Sequence, residues 1–342
     1  MKELSLGGLL QRVLQLVVSL FILLCVTFVI GRVMPTDPVG AIVGELADPA
    51  AYEAMRARLG LDLPLYQQFF IFLRGLLQGD FGTAILTGNP VARDLSQAFP
   101  ATLELATLAV IISTLVGVPL GLAAALFRDS FIDKFARIFA LVGHSIPVFW
   151  FGIVGLVIFY AWLSWVGGPG RVDVYYEGLI EPTTGLLLID SLIEGEPDIF
   201  WNALSHIILP ASILAYMAMA YITRMTRSFT LEQLSQDYVI AARAKGVSPT
   251  RTVIGHVLPN IAVQLITVLA ISYGNLLEGA VITEIVFSWP GIGQYMTNAL
   301  MIGDMNVILA STIIIGFVFM LLNFLADMAY LLLDPRTREV AR

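Results

Sequence analysis

Very little in this chain is equipped for covalent or metal chemistry. Three lysines, three histidines and one cysteine stand among 342 residues, and charged residues make up only 13%. The lysines are Lys2, Lys134 and Lys245; none is followed by Ser or Thr, and no G-x-x-x-x-G-K-[ST] string occurs. ATP hydrolysis by that phosphate-cradling loop is therefore excluded. His144, His206 and His256 lie far apart with no ligand-like spacing, so no metal site is expected. His144 and Ser145 are sequence neighbours, which a helix points about 100° apart, a poor geometry for a nucleophile and its base. Cys25 is single and sits in an apolar run, so it forms no intrachain disulfide and says nothing about compartment.

What is abundant is apolar sequence: 58% of residues are hydrophobic, and the mean hydropathy is +0.84. That composition excludes an ordinary soluble domain. Runs long enough to cross a bilayer, which takes about 20 helical residues, recur near 10–31, 102–127, 136–163, 205–226, 261–287 and 306–332. Six spans and an all-α polytopic fold are predicted. The first run keeps 18 uncharged residues from Val13 to Ile30, longer than the roughly 7–15 of a signal peptide, and no small-x-small cleavage site follows. It is read as a retained first helix.

Charge sets the expected orientation. With both termini inside, the inner segments carry a net +6, from Lys2, Arg12, Arg128, Lys134, Arg137, Arg224, Arg227, Arg243, Lys245, Arg251, Arg336, Arg338 and Arg342 against seven acids. The outer segments carry a net −10. The short inner loops count most in the positive-inside rule. The acidic balance belongs to the outer face and gives no reason to expect nucleic acid.

Two outer segments are large. Residues 32–101 hold an expected short helix (Ala50 to Leu59), a turn (Gly60 to Pro64) and an amphipathic stretch (Tyr66 to Leu77). Residues 164–204 are rich in Gly, Pro and acids, with Asp190, Glu194, Glu196 and Asp198 close together. Both either cover the outer mouth or offer a landing surface to a separate solute-binding protein.

Residues 231–245 contain no Gly or Pro and are expected to form a helix that Gly246 ends in the left-handed conformation. Ser248 can cap a second helix with Pro249 at its first position, the whole ending in a hinge at Leu258-Pro259. Ala241, Ala242 and Ala244 let a partner approach the backbone, while Asp237, Arg243 and Lys245 supply charge. The segment reads as a docking knob or as a solvated loop with ordinary positive-inside charge.

The pattern of Ala241-Ala242, three residues, Gly246, nine residues and a block ending Leu258-Pro259 resembles the cytoplasmic EAA loop of permease subunits of ATP-binding-cassette importers, with Ile240 in place of the usual Glu and His256 in place of the usual Ile. In that family the loop forms a coupling helix seated in the ATPase subunit. Leu59-Gly-Leu-Asp-Leu-Pro-Leu-Tyr66, Gly79-Asp-Phe-Gly82, Pro100-Ala-Thr-Leu-Glu-Leu105, Ser145-Ile-Pro-Val-Phe-Trp150, Ile208-Leu-Pro210 and Phe287-Ser-Trp-Pro-Gly-Ile-Gly293 are similar to the dipeptide, oligopeptide and nickel importer permeases. Thr184-Gly-Leu-Leu-Leu-Ile-Asp190 resembles the dipeptide-permease branch and its antimicrobial-peptide-uptake relatives.

The resemblance implies a MetI-like permease core at 102–342, preceded by an N-terminal helix and outer region at 1–101. It implies a second homologous permease, two cytoplasmic ATPases, an external binding protein and a place in the cytoplasmic (inner) membrane. No cofactor belongs to this chain; ATP and Mg belong to the ATPases. In the family, the segment matching Glu284 to Gly293 dips into the outer mouth, which assigns Trp289 and Pro290 to an outer gate.

Gly117, Gly121 and Ala125 repeat at four-residue spacing and allow close helix approach. Pro119, Pro147 and Pro210 fall within or at the edge of spans, either as simple kinks or as bends around a path. Glu278 lies deep in span five, where a lipid-facing carboxylate costs about 2.5–3.5 kcal/mol, so it should face a cavity or partner. It is a counter-ion for a peptide's amino terminus or a hydrogen-bonded side chain. Asp327 is expected to pair with an inner basic residue, and Glu104 and Glu284 to reach water at the outer ends. The expected function is peptide import by alternating access; nickel chelates, glutathione or antimicrobial peptides are the alternatives. A secondary transporter is disfavoured by the lack of a clear internal repeat, and an intramembrane hydrolase by the lack of a catalytic pair.

Overall fold

A computed structural model describes residues 6–33, 38–44 and 48–333. The helices in chain order are α1 (Leu6–Val33), α2 (Pro38–Val43), α3 (Pro49–Arg58), α4 (Leu65–Leu77), α5 (Val91–Leu126), α6 (Phe131–Ser145), α7 (Val148–Gly155), α8 (Leu187–Glu194), α9 (Pro197–Leu234), α10 (Asp237–Ala244), α11 (Pro249–Thr252), α12 (Leu258–Val286), α13 (Ile292–Ile302) and α14 (Met305–Leu333). Wider π-helical turns follow α7 at Leu156–Trp162 and join α11 to α12 at Val253–Val257. Among the described residues there is no strand, only an isolated bridge between Thr83 and Pro90. The charges at Lys2, Arg336, Arg338 and Arg342 and the pairing expected of Asp327 lie outside the described residues and side chains.

Among the described residues five helices are long and apolar enough to cross a membrane: Val13–Gly31, Val91–Leu126, Pro197–Leu234, Pro249–Val286 and Met305–Leu325. The third expected span is broken: Phe131–Gly143 and Val148–Trp162 meet at 100° rather than running straight through 136–163. Pro147 has no N–H to continue the helix and drives Ile146 into extended backbone (φ −91°, ψ 129°), which stops α6 there. Span two also departs from its expected limits. It begins at Val91, so the boundary expected at 101/102 falls inside α5.

The core is α5 packed on α9, with α12 across both. Ala101, Leu105, Ala109, Ile207, Ala211, Ala215, Ile222 and Ala280 are all but fully buried there. The small-residue stripe is the reason α5 and α9 come so close: a Cβ on Gly121 would stand 2.7 Å from the Thr223 carbonyl oxygen, and one on Gly117 3.1 Å from Ile222. At one end of this pair the buried Asp133 carboxylate receives Nε and Nη2 of Arg227 at 2.6 and 2.9 Å, pinning α6 to α9. Around the bundle, large apolar side chains of α1 such as Leu14, Phe21 and Val29 are exposed, as a lipid-facing surface requires. The amphipathic α4 lies against α1, with Phe69 and Phe72 packed on Phe28.

Candidate functional site

Three places concentrate polar groups that packing alone does not require: the loop around α10, a buried cluster under the 287–293 turn, and a cavity among α6, α9 and α12.

The expected single helix over 231–245 is two helices. α9 runs to Leu234, Gln236 is extended (φ −79°, ψ 149°), and α10 starts afresh at Asp237. No Gly or Pro marks that break. It turns α10 back on the bundle so that Val239 is buried among Val253, Val257, Ile261 and Leu265, with Val118 and Leu122 of α5 alongside. Asp237 sits in the first turn, where a negative charge complements the helix dipole. At the other end Gly246 takes φ +80°; its N–H bonds to the Arg243 carbonyl at 2.9 Å and that of Val247 to Ala242 at 3.2 Å. These are the paired bonds of a Schellman stop, which needs a left-handed residue there. A Cβ on Gly246 would meet nothing within 4 Å, so the chain itself leaves that flank open.

The outward face of α10 presents Ile240 (56% exposed), Ala241, Arg243 and Ala244, followed by Lys245, while Ala242 is half-buried. Leu258 and Pro259 are not a separate hinge but lie on the continuous rod Pro249–Val286. Pro259 can donate no hydrogen bond to the carbonyl of Gly255, and the widened turn at Val253–Val257 falls where that bond is missing.

At the opposite end of α12, Glu284 is fully buried rather than in reach of water. Its Oε1 accepts the Thr102 hydroxyl at 2.5 Å and its Oε2 the Gln294 N–H at 2.9 Å; the same Thr102 oxygen accepts the Ile292 N–H at 2.8 Å. Trp289 is likewise buried and donates Nε1–H to the Ala101 carbonyl at 2.9 Å, so it anchors the turn to α5, whereas Pro290 is exposed. Arg171 stands 5.7 Å from the Trp289 ring and donates to Glu104 at 2.5 Å and to the Gly185 carbonyl at 3.1 Å. Glu104 also accepts the Leu188 N–H at 2.7 Å, so it too is tied up and buried. Asp190 is turned inward, accepting from Thr184 and Gly185, while Glu194, Glu196 and Asp198 are exposed.

The cavity, of about 720 Å³, has apolar walls from Leu141, Leu214, Met217 and Leu276, with Arg137, Arg224 and Arg227 at one end. Glu278 is exposed but lines a separate narrow crevice beside Phe99, Gly274 and Phe319, on the neighbouring face of α12. The structure thus brings Asp237 to Gly246 together on one short helix and its C-terminal stop, and leaves Glu278, Trp289 and Pro290 apart from them and from the cavity. Sequence reasoning missed Val239, Thr102, Arg171 and the Arg137–Arg224–Arg227 group as site residues. The charge of the arginines was legible, but their convergence depends on α6 packing against α9, where Asp133 binds Arg227 and neighbours Arg137.

Two family models cover nearly the whole chain. The model described as binding-protein-dependent transport system inner membrane component matches residues 117–339, and its N-terminal companion matches residues 6–106. The chain is 42% identical over 328 residues to an Escherichia coli K12 protein named as a probable D,D-dipeptide transport system permease, DdpB, covering 95% of this chain and 96% of that one. It is 40% identical over 330 residues to the di/tripeptide transport system permease protein DppB of Pseudomonas aeruginosa UCBPP-PA14, covering 96% and 98%. It is 38% identical over 331 residues to the dipeptide transport system permease protein DppB of E. coli K12, covering 96% and 98%. Among solved structures, an inward-facing methionine ABC transporter, MetNI, superposes with a TM-score of 0.51 at 17% identity, covering 68% of this chain and 93% of that chain; that likeness concerns the fold.

Proposed function

Because the chain belongs to the binding-protein-dependent transport system inner membrane component family, we propose that it is the permease subunit of an ATP-driven importer of di- and oligopeptides. The peptide class rests on the names of relatives at 38–42% identity over nearly full length. The observation that carries the mechanism is α10: a short helix held to the bundle by buried Val239, stopped by left-handed Gly246, and exposing Ile240, Ala241, Arg243 and Ala244. A partner ATPase reads that face. Ile240 offers it an apolar contact, and Arg243 and Lys245 meet acidic groups at its rim.

In this reading a second permease, two cytoplasmic ATPases and an external binding protein complete the assembly, and both termini face the cytoplasm. ATP-driven closure of the ATPases moves α10, and the rod Pro249–Val286, continuous with the α10 corner, carries the displacement to the 287–293 turn. The coupling free energy is the difference in α10 contact between the two ATPase states. Trp289 and Glu284 hold that turn to α5 as a rigid outer gate with Pro290 on its surface, and Glu278 presents a carboxylate to the solute path. The helices before α5 lie outside the core, which starts with α5 at Val91.

The test is ATP hydrolysis by the full complex in lipid, with dipeptides, tripeptides, longer peptides, glutathione and nickel chelates offered in turn. Stimulation by short peptides supports the reading. Stimulation by glutathione or a chelate alone replaces the substrate class, and an intact complex whose hydrolysis no solute alters overturns it.

A further inference from the structure

The cavity among α6, α9 and α12 carries charge that the chain does not neutralise. Asp133 binds Arg227 through two hydrogen bonds and stands 3.4 Å from Arg137, so one carboxylate serves two guanidinium groups. Arg224, one turn before Arg227 on α9, is exposed, lies 5.7 Å from the Tyr221 ring, and has no carboxylate within ion-pair distance among the described residues. Farther along the wall, Asn275 is exposed, and Ser272 is buried with its hydroxyl unpartnered. The rest of the wall is apolar, and about 720 Å³ falls within the roughly 300–1,000 Å³ of small-molecule sites.

We propose that this cavity is a peptide subsite in which Arg224 receives the solute's C-terminal carboxylate, Asn275 and Ser272 meet its backbone amides, and the apolar wall takes side chains without selecting among them. The assignment rests on the peptide reading given above. A carrier of varied peptides can hold only what all of them share, one terminal carboxylate and a backbone. A guanidinium fork matches the carboxylate geometrically and is less tightly hydrated than an ammonium. The ring of Tyr221 holds Arg224 in place, and the Asp133 clamp keeps Arg227 and Arg137 from competing for the same anion. The site does not use Glu278, which opens to a different crevice.

The test is thiol protection in the full complex, in lipid discs without ATP, using Met217→Cys on the cavity wall in a Cys25→Ser background. Labelling of this chain by a polar maleimide is followed against Ala-Ala and against Ala-Ala amide. Ala-Ala should protect, and the amide should need at least roughly tenfold more, the scale of one lost charge-assisted hydrogen bond. Arg224→Gln should weaken protection by Ala-Ala to the same degree, and Arg224→Lys should restore part of it; co-purification of all subunits verifies assembly of both variants. Equal protection by the amide, or undiminished protection in Arg224→Gln, overturns the carboxylate assignment, and no protection by either peptide overturns occupancy of the cavity. Wild-type uptake of Ala-Ala and of longer peptides is measured beside it: uptake of Ala-Ala without protection sinks this subsite alone, whereas absence of uptake of every peptide sinks the peptide reading.

Discussion

The hydroxyl of Thr102 on α5 lies 2.5 Å from the carboxylate of Glu284 on α12, 182 residues away, and accepts the Ile292 N–H on its other side. One oxygen thus joins two spans and the turn after α12. The neighbouring glycines are shaped by the same carboxylate: a Cβ on Gly293 would approach Glu284 Oε2 to 2.8 Å and Val281 equally closely.

Replacing Thr102 with Val keeps the shape and removes that oxygen. The Ile292 N–H and one carboxylate oxygen then remain buried without partners, at a cost of about 2–3 kcal/mol. The purified complex should melt at lower temperature, and the 287–293 turn should become more accessible to protease. An unchanged melting point together with unchanged cleavage would show that the hydroxyl does not hold the turn.

Gly246 separates folding from docking. Its left-handed backbone makes Gly246→Ala cost about 1–2 kcal/mol, but the open space beside it means that the chain does not exclude a side chain. Gly246→Asp should insert at near wild-type levels and lose peptide uptake, because the added carboxylate meets the ATPase. Normal uptake by an inserted Gly246→Asp subunit removes α10 as the coupling element.

Val239 is the buried anchor of that same helix. Val239→Ala deletes two methyl groups, worth about 1.6 kcal/mol at the usual value per buried carbon. Amide exchange within Asp237–Ala244 should speed up roughly tenfold, and coupling of ATP hydrolysis to peptide should fall with it. Exchange at wild-type rates would place the anchoring elsewhere, for instance in the 245–248 corner.

Arg171 answers for Glu104. Arg171→Met strands a buried carboxylate and should destabilise the outer region by about 3–5 kcal/mol, read as faster proteolysis across 164–204. Glu104→Gln in the same chain should recover part of the loss, since the uncompensated charge is gone. A double variant no more resistant than the single one would mean that Arg171 acts through its bond to the Gly185 carbonyl instead.

The sequence was informative wherever one residue type forces one local geometry. Gly246 stops α10, Pro147 breaks the third span, and Gly117 and Gly121 admit α9 to contact with α5; each acts through its own backbone or the absence of its own side chain. Long apolar runs likewise announced the membrane helices, because about 20 residues without charge have few other uses. Arg243 and Lys245 were readable as charges open to a partner beside the small side chains of Ala241, Ala242 and Ala244.

What only the tertiary structure decided depends on partners distant in sequence. Glu104 and Glu284 look like water-facing acids near span ends, yet Arg171 and Thr102 arrive from 67 and 182 residues away to bury them. The break at Ser235–Gln236 carries no local signal, since its driving force is the burial of Val239 against α12. The convergence of Arg137, Arg224 and Arg227 on one cavity follows from the packing of α6 on α9, where Asp133 binds Arg227 from 94 residues away. Local backbone chemistry wrote the helices and their stops into the sequence; burial and charge pairing across the bundle, which no short stretch encodes, made the site.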